Sequence, residues 1–161
     1  MRMTRRLSLS PIVLWVLLNA QFAAQPAVRT IEIQVGDNMK YSVGTITAKP
    51  GERLRVVLKD VGKMPKLAMA HNFVLLKRGV DPKRFVELSA SERDNDFVAP
   101  ALKDQVLATT GLVGPGETRD VTFEAPADPG TYAFVCTFPG HFALGMKGAT
   151  WTPKSRRPKM T

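Results

Sequence analysis

From residue 30 to residue 152 the chain runs in short apolar stretches, broken by polar positions and closed by turn residues. Residues 30–35 alternate apolar with polar, the signature of a half-buried β-strand, because successive strand side chains point to opposite faces. Residues 42–48 predict a second strand that ends at the turn Lys49-Pro50-Gly51-Glu52, and residues 53–59 predict a third, with Leu-Arg-Val-Val-Leu inside it. Residues 72–76, Asn-Phe-Val-Leu-Leu, form a compact apolar run and predict a buried strand.

Residues 81–96 break this pattern. Asp81 can cap a helix, Pro82 suits its first position, and Phe85, Val86 and Leu88 supply apolar positions; Ser91-Glu92-Arg93-Asp94 predicts a polar turn after it. Strands resume over 104–110, 118–124, 130–136 and 147–152. The turns Gly114-Pro115-Gly116-Glu117 and Pro126-Ala127-Asp128-Pro129-Gly130 set the middle ones apart. Short strands with proline or glycine in the gaps predict an all-β fold, a Greek-key β-sandwich or barrel with a short helical insertion at 81–96.

Charge and composition add an address. Of 161 residues, 44% are hydrophobic and 23% charged, ordinary for one globular domain. Arg2, Arg5 and Arg6 precede the apolar run 11–18, and Ala20, Ala23 and Ala24 follow it. Basic start, apolar run and small residues in this order predict a secretory signal peptide over 1–24. Arg5-Arg6 also fits a twin-arginine signal, and an uncleaved anchor is the alternative. Export to the periplasm is the expected destination. Losing 1–24 removes three basic and no acidic residues, taking the formal charge from +9 to +6. Four of the remaining positive charges crowd residues 154–161, expected to be a basic disordered tail after a domain over 25–153. Membrane contact is expected only through the signal segment or this tail. No stretch predicts a nucleic-acid module.

The chain has one cysteine, Cys136, and an exported protein cannot close an internal disulfide with one. In Cys136-Thr-Phe-Pro-Gly-His141-Phe-Ala-Leu-Gly-Met146, three metal-binding side chains stand within one loop at a strand end. The second of only two histidines, His71, lies 65 positions before Cys136 at the head of another strand. Singly, each has a plainer reading: a packed histidine, a core methionine, an inert buried thiol. Together, two imidazoles, a thiolate and a thioether are the donor set of a trigonal copper site with a long axial methionine. Pro139-Gly140 lets the chain turn so that His141 returns to the metal, and Gly145 lets it turn again toward Met146. Zinc is the closest rival, but methionine is a poor zinc ligand. A nucleophilic cysteine would need a base and an oxyanion site, normally at a helix start, whereas Cys136 ends a strand.

The same residues carry a family resemblance. Cys136-Thr-Phe-Pro-Gly-His141 and Met64-Pro65-Lys66…Met69-Ala70-His71-Asn72 resemble the two copper loops of the cupredoxin family, of the azurin and auracyanin kind, over about residues 31–151. The resemblance implies His71, Cys136 and His141 as equatorial ligands, Met146 as the axial one, and Asn72 tying the two loops together near the sulfur. Two departures stand out: four residues separate His141 from Met146 where azurin has three, and Ala70 stands where azurin has glycine. Both favour a four-coordinate site over one that adds the Ala70 carbonyl.

The expected function is a type 1 copper protein, Cu(I)/Cu(II), that carries single electrons and is not an enzyme. It would be a monomer whose donor and acceptor proteins dock near the edge of His141. Met39, Met64, Met69, Phe138, Pro139, Phe142 and Ala143 are candidates for an apolar docking patch. The alternative function is a copper chaperone or store, which would use a more open and ligand-rich site.

Overall fold

The computed structural model describes residues 27–153; the expected signal segment 1–24 and basic tail 154–161 lie outside the described residues. Eight strands make two sheets: β1 (Arg29–Val35), β2 (Thr45–Thr47), β3 (Arg53–Asp60), β4 (Val74–Leu76), β5 (Val106–Thr109), β6 (Thr118–Glu124), β7 (Gly130–Val135) and β8 (Lys147–Thr152). The smaller sheet has the order β1-β3-β6 and the larger β2-β8-β7-β4-β5. β1 pairs with β3 and β2 with β8 in parallel, and the other pairs are antiparallel. This is an all-β sandwich, as the turn spacing predicted.

Alternation along the strands builds the core. In β3, Leu54, Val56 and Leu58 are fully buried while Arg55 and Lys59 face solvent. With Ile33 and Val35 they pack in one cluster with Ile46, Leu75, Tyr132 and Phe134 of the other sheet and with Phe73 just before β4. Each large apolar side chain buried in this way contributes about 1.5–3 kcal/mol. Gly148 lies opposite Phe134 on β7, and an added Cβ would stand 2.1 Å from the Phe134 ring; the strand pair closes only because this position is glycine.

Strand β4 has no exposed face. Helix α1 (Pro82–Ser89) puts Phe85 and Val86 against Val74, Leu76 and Val135 on the far side of the larger sheet. The helix starts as its sequence predicts: Asp81 accepts from the backbone N–H of Lys83 at 2.9 Å, and Pro82 needs no partner for its nitrogen. The insertion runs further than 81–96, because a 3₁₀ turn at Arg93–Asn95 is followed by another at Pro100–Gln105.

Three strands fall two or more residues short of their apolar patterns. At residues 42–44 the side chain of Ser42 accepts from Gln34 N–H at 2.8 Å and its own N–H donates to the Gln34 carbonyl, so β2 is confined to Thr45–Thr47. Asn72 and Phe73 lie outside β4 because side chains take their backbone groups, Tyr41 the Asn72 carbonyl and Thr110 the Phe73 N–H. Residues 104 and 105 belong to the second 3₁₀ turn, and β5 begins only at Val106. No described helix is long and apolar enough to cross a membrane.

Candidate metal centre

His71 stands at the open end of the sandwich, fixed by a two-way backbone bridge to Val113 at 2.9 and 2.8 Å. Cys136 follows β7 directly, and its N–H donates to the Met146 carbonyl at 3.2 Å. The Met146 N–H in turn donates to the His141 carbonyl at 3.0 Å. Backbone bonds thus tie Met146 to both other residues of its loop. Gly145, at φ 91°, makes the turn into Met146, in a conformation that glycine adopts without a Cβ penalty.

The donor atoms of His71, Cys136 and His141 all lie within 4.8 Å of one another. The Cys136 sulfur is 3.5 Å from His141 Nδ1, and the two imidazoles lie 4.9 Å apart between ring centres. Met146 is fully buried in the same core cluster as Cys136. Both ring nitrogens of His71 are buried and have no hydrogen-bond partner. A buried polar atom without a partner costs about 1–3 kcal/mol, so nitrogens left bare here point to a ligand that satisfies one of them. A soft-to-borderline cation meets that need and suits all four donors.

The electrostatics point the same way. Burial pushes His71 down to about 4, against the pull of Asp37 and of the Gly36 carbonyl, which lies near the ring without completing a hydrogen bond. His141 is also held at about 4, by burial first and by His71 second. Burial raises the Cys136 thiol to about 12, although the backbone N–H groups of Asn72 and Phe138 favour its charged form. Without metal the imidazoles are therefore neutral and ready to donate. A cation must displace the thiol proton to gain the sulfur.

Asn72 connects the two loops. Its Oδ1 accepts from Thr137 N–H at 2.9 Å, and its Nδ2 donates to Thr137 Oγ1 at 2.7 Å and to the Asp96 carbonyl at 2.9 Å. Asp96 and Phe97 both take positive φ, 53° and 56°, a strained pair for non-glycine residues. Sequence reasoning reached Asn72 but missed Thr137, the Asp96 carbonyl and Tyr41. The Tyr41 hydroxyl donates to the Asn72 carbonyl at 2.5 Å, and burial, then Cys136, pushes its pKa well above the ordinary value.

Around the centre, Phe138 stacks on His141 at 4.8 Å and meets Phe97 edge-on at 5.3 Å. His141 keeps 3% of its surface exposed, against none for His71. Of the expected patch, Met64, Pro139 and Ala143 are exposed, Met39, Phe138 and Phe142 are half-buried, and Met69 is buried. Leu144, 56% exposed beside His141, and Leu67, which lines an apolar groove with Phe97, Leu112 and Phe138, were not anticipated.

Fold and site together define a blue copper electron-transfer protein. The chain belongs to the plastocyanin/azurin family of copper binding proteins, whose family model matches residues 27–151. It is 37% identical over 127 residues to auracyanin-B of Chloroflexus aurantiacus, an alignment covering 78% of this chain and 53% of that protein. It is 35% identical over 121 residues to azurin of Alcaligenes faecalis, covering 73% of this chain and 93% of that one. The crystal structure of dithionite-reduced auracyanin from Roseiflexus castenholzii superposes with a TM-score of 0.66 at 38% identity, covering 76% of this chain and 95% of the other. The chain thus spans about half of auracyanin-B but nearly all of azurin. Copper is the cofactor that this family and this donor set share.

Proposed function

We propose that His71, Cys136, His141 and Met146 hold one copper ion and that the protein is a periplasmic carrier of single electrons. The observation that supports this most is the pair of partnerless, buried His71 nitrogens facing a cysteine and a second histidine. Bound there, copper would supply one-electron chemistry by alternating between Cu(I) and Cu(II). The chain's part is to keep the donors still. His71 is anchored to Val113, Met146 to Cys136 and His141, and Asn72 to Thr137. Donors that cannot rearrange make the same site acceptable to both oxidation states, so little reorganisation slows the transfer.

His141 is the side chain through which the electron leaves, being the one imidazole that reaches the surface. Pro139, Ala143 and Leu144, exposed in the same loop, form the apolar tip on which a donor or acceptor protein docks briefly. The protein acts as a monomer and performs no catalysis of its own. Residues 1–24 direct export and 25–153 form the copper domain, with the basic stretch 154–161 after it. With both histidines and the single cysteine committed to one enclosed site, few spare donors remain for handing copper on, which disfavours a chaperone.

The test is an absorption spectrum of the copper-loaded, oxidised protein. An intense visible sulfur-to-copper band is expected, and Cys136→Ser should abolish it while the far-UV spectrum stays that of a β-protein. A colourless wild type would overturn the assignment.

A further inference from the structure

Asn72 presents four kinds of polar group, and three have fixed partners. Its side-chain oxygen and nitrogen are held by Thr137 and Asp96, and its backbone carbonyl by the Tyr41 hydroxyl at 2.5 Å. The fourth, its N–H, has no carbonyl partner among the described residues and favours the charged form of the Cys136 thiol. Asn72 sits between the His71–Val113 bridge and the start of β4, outside either ladder, and no backbone N–H among the described residues reaches its carbonyl.

Tyr41 is held firmly enough to act as a strut. Its ring meets Phe134 edge-on at 5.3 Å in the middle of the core. Its neighbour Lys40 donates from Nζ to the Leu144 carbonyl at 3.1 Å. The short segment after β1 therefore touches both loops, one beside His71 and the other between His141 and Met146.

We propose that Tyr41 is a positioning residue for the copper centre, its hydroxyl fixing the Asn72 main chain so that the Asn72 N–H stays aimed at the Cys136 sulfur. The Asn72 N–H shares a peptide plane with the His71 carbonyl, which the Val113 N–H holds at 2.8 Å, and the Tyr41 hydroxyl holds the plane that follows, so the φ and ψ of Asn72 are fixed from both sides. A hydrogen bond to the sulfur withdraws electron density from the thiolate, which weakens its donation and favours Cu(I). The inference rests on the ligand assignment proposed above.

Tyr41→Phe removes the hydroxyl and keeps the ring, and two measurements read the result. In the copper-free protein, amide hydrogen exchange at Asn72 should rise at least tenfold while the amides of β7 and β8 stay unchanged. In the copper-loaded protein, the Cu(II)/Cu(I) balance at fixed applied potential should move about threefold toward Cu(II), which at 59 mV per tenfold is a potential lower by about 30 mV. Phe134→Leu is the control: it loosens the ring's packing and should lower stability without moving the potential comparably. Unchanged Asn72 exchange and an unchanged potential in Tyr41→Phe overturn the proposal, as does an equal shift in the control. Should Tyr41→Phe fail to fold, the wild type decides: a sharp, slowly exchanging Tyr41 hydroxyl proton in its NMR spectrum supports the bond, and its absence overturns it. A colourless wild type overturns the ligand assignment instead, and is told apart because the exchange arm needs no copper.

Discussion

Asn72 and Thr137, 65 positions apart, exchange a reciprocal pair of hydrogen bonds: Thr137 N–H donates to Asn72 Oδ1 at 2.9 Å and Asn72 Nδ2 donates to Thr137 Oγ1 at 2.7 Å. One bond would fix a distance, and two fix an orientation. The loop that carries Cys136, His141 and Met146 is thereby locked to the strand end that carries His71. All of this happens at fully buried residues, where neither partner can turn to water.

Asn72→Ala should therefore cost more than an average core substitution. It leaves the Thr137 N–H buried without a partner and the Asp96 carbonyl with only the longer bond from Thr137 Oγ1 at 3.4 Å, a penalty of about 1–3 kcal/mol. Denaturant unfolding of the copper-free protein measures it directly. A loss below about 1 kcal/mol would mean that water replaces the side chain and that the lock is weak.

Met146→Leu tests the axial assignment. The two side chains are close in volume, so stability should fall by less than about 1.5 kcal/mol despite complete burial. Losing a weak donor disfavours Cu(II) more than Cu(I), so voltammetry should find a higher reduction potential with the blue colour retained. Loss of copper from this variant would show Met146 to be a principal ligand and not an axial one.

Asp60 offers a pH test remote from the copper ligands. It is 2% exposed, its carboxylate accepts from Gly62 N–H at 2.7 Å, and burial, with Asp37 and Glu117 nearby, raises its pKa above the usual carboxylate value. A raised pKa in the folded state means that the native protein holds this proton more tightly than the unfolded chain does. Stability is then greatest below the unfolded pKa and declines as pH rises through the folded one. Asp60→Asn keeps the acceptor and removes the charge. It should stabilise the protein at pH 7 and make no difference at pH 3, as thermal unfolding at the two values would reveal. Equal effects at both would mean that the charge is not what burial penalises.

The donor set was legible because this chain contains only two histidines and one cysteine, and the fold places all three together. The sandwich was legible because alternation in residues such as Leu54, Val56 and Leu58 has only one geometric meaning. What surrounds the donors was not. The Asp96 carbonyl and the Tyr41 hydroxyl reach Asn72 across 24 and 31 positions, and a backbone carbonyl leaves no mark on residue type. The second 3₁₀ turn escaped because Pro100 opens it without a side-chain cap. Leu144 was not anticipated, since exposure of one apolar residue follows from the loop's path and not from its composition.

That exposure gives the remaining prediction. Leu144 is 56% exposed next to His141, with Lys40 bonded to its carbonyl and Lys147 lying 4.8 Å over the Phe142 ring. On the proposed exit through His141, an oxidised and a reduced copy that exchange an electron each present that edge, so the two apolar tips meet. Leu144→Lys removes apolar surface from the middle of that contact and adds a third cation beside two existing ones. Facing copies then repel each other at short range, where bulk salt screens least. Electron self-exchange, followed by NMR line broadening in mixtures of the two oxidation states, should slow at least tenfold, about 1.4 kcal/mol in the encounter. The potential and the colour should not change, because the side chain points away from the donors into solvent. Raising the salt concentration should recover part of the lost rate but not all of it, since the apolar contact stays missing. If self-exchange is unaffected, electrons leave by another face and the docking role assigned to this tip is wrong.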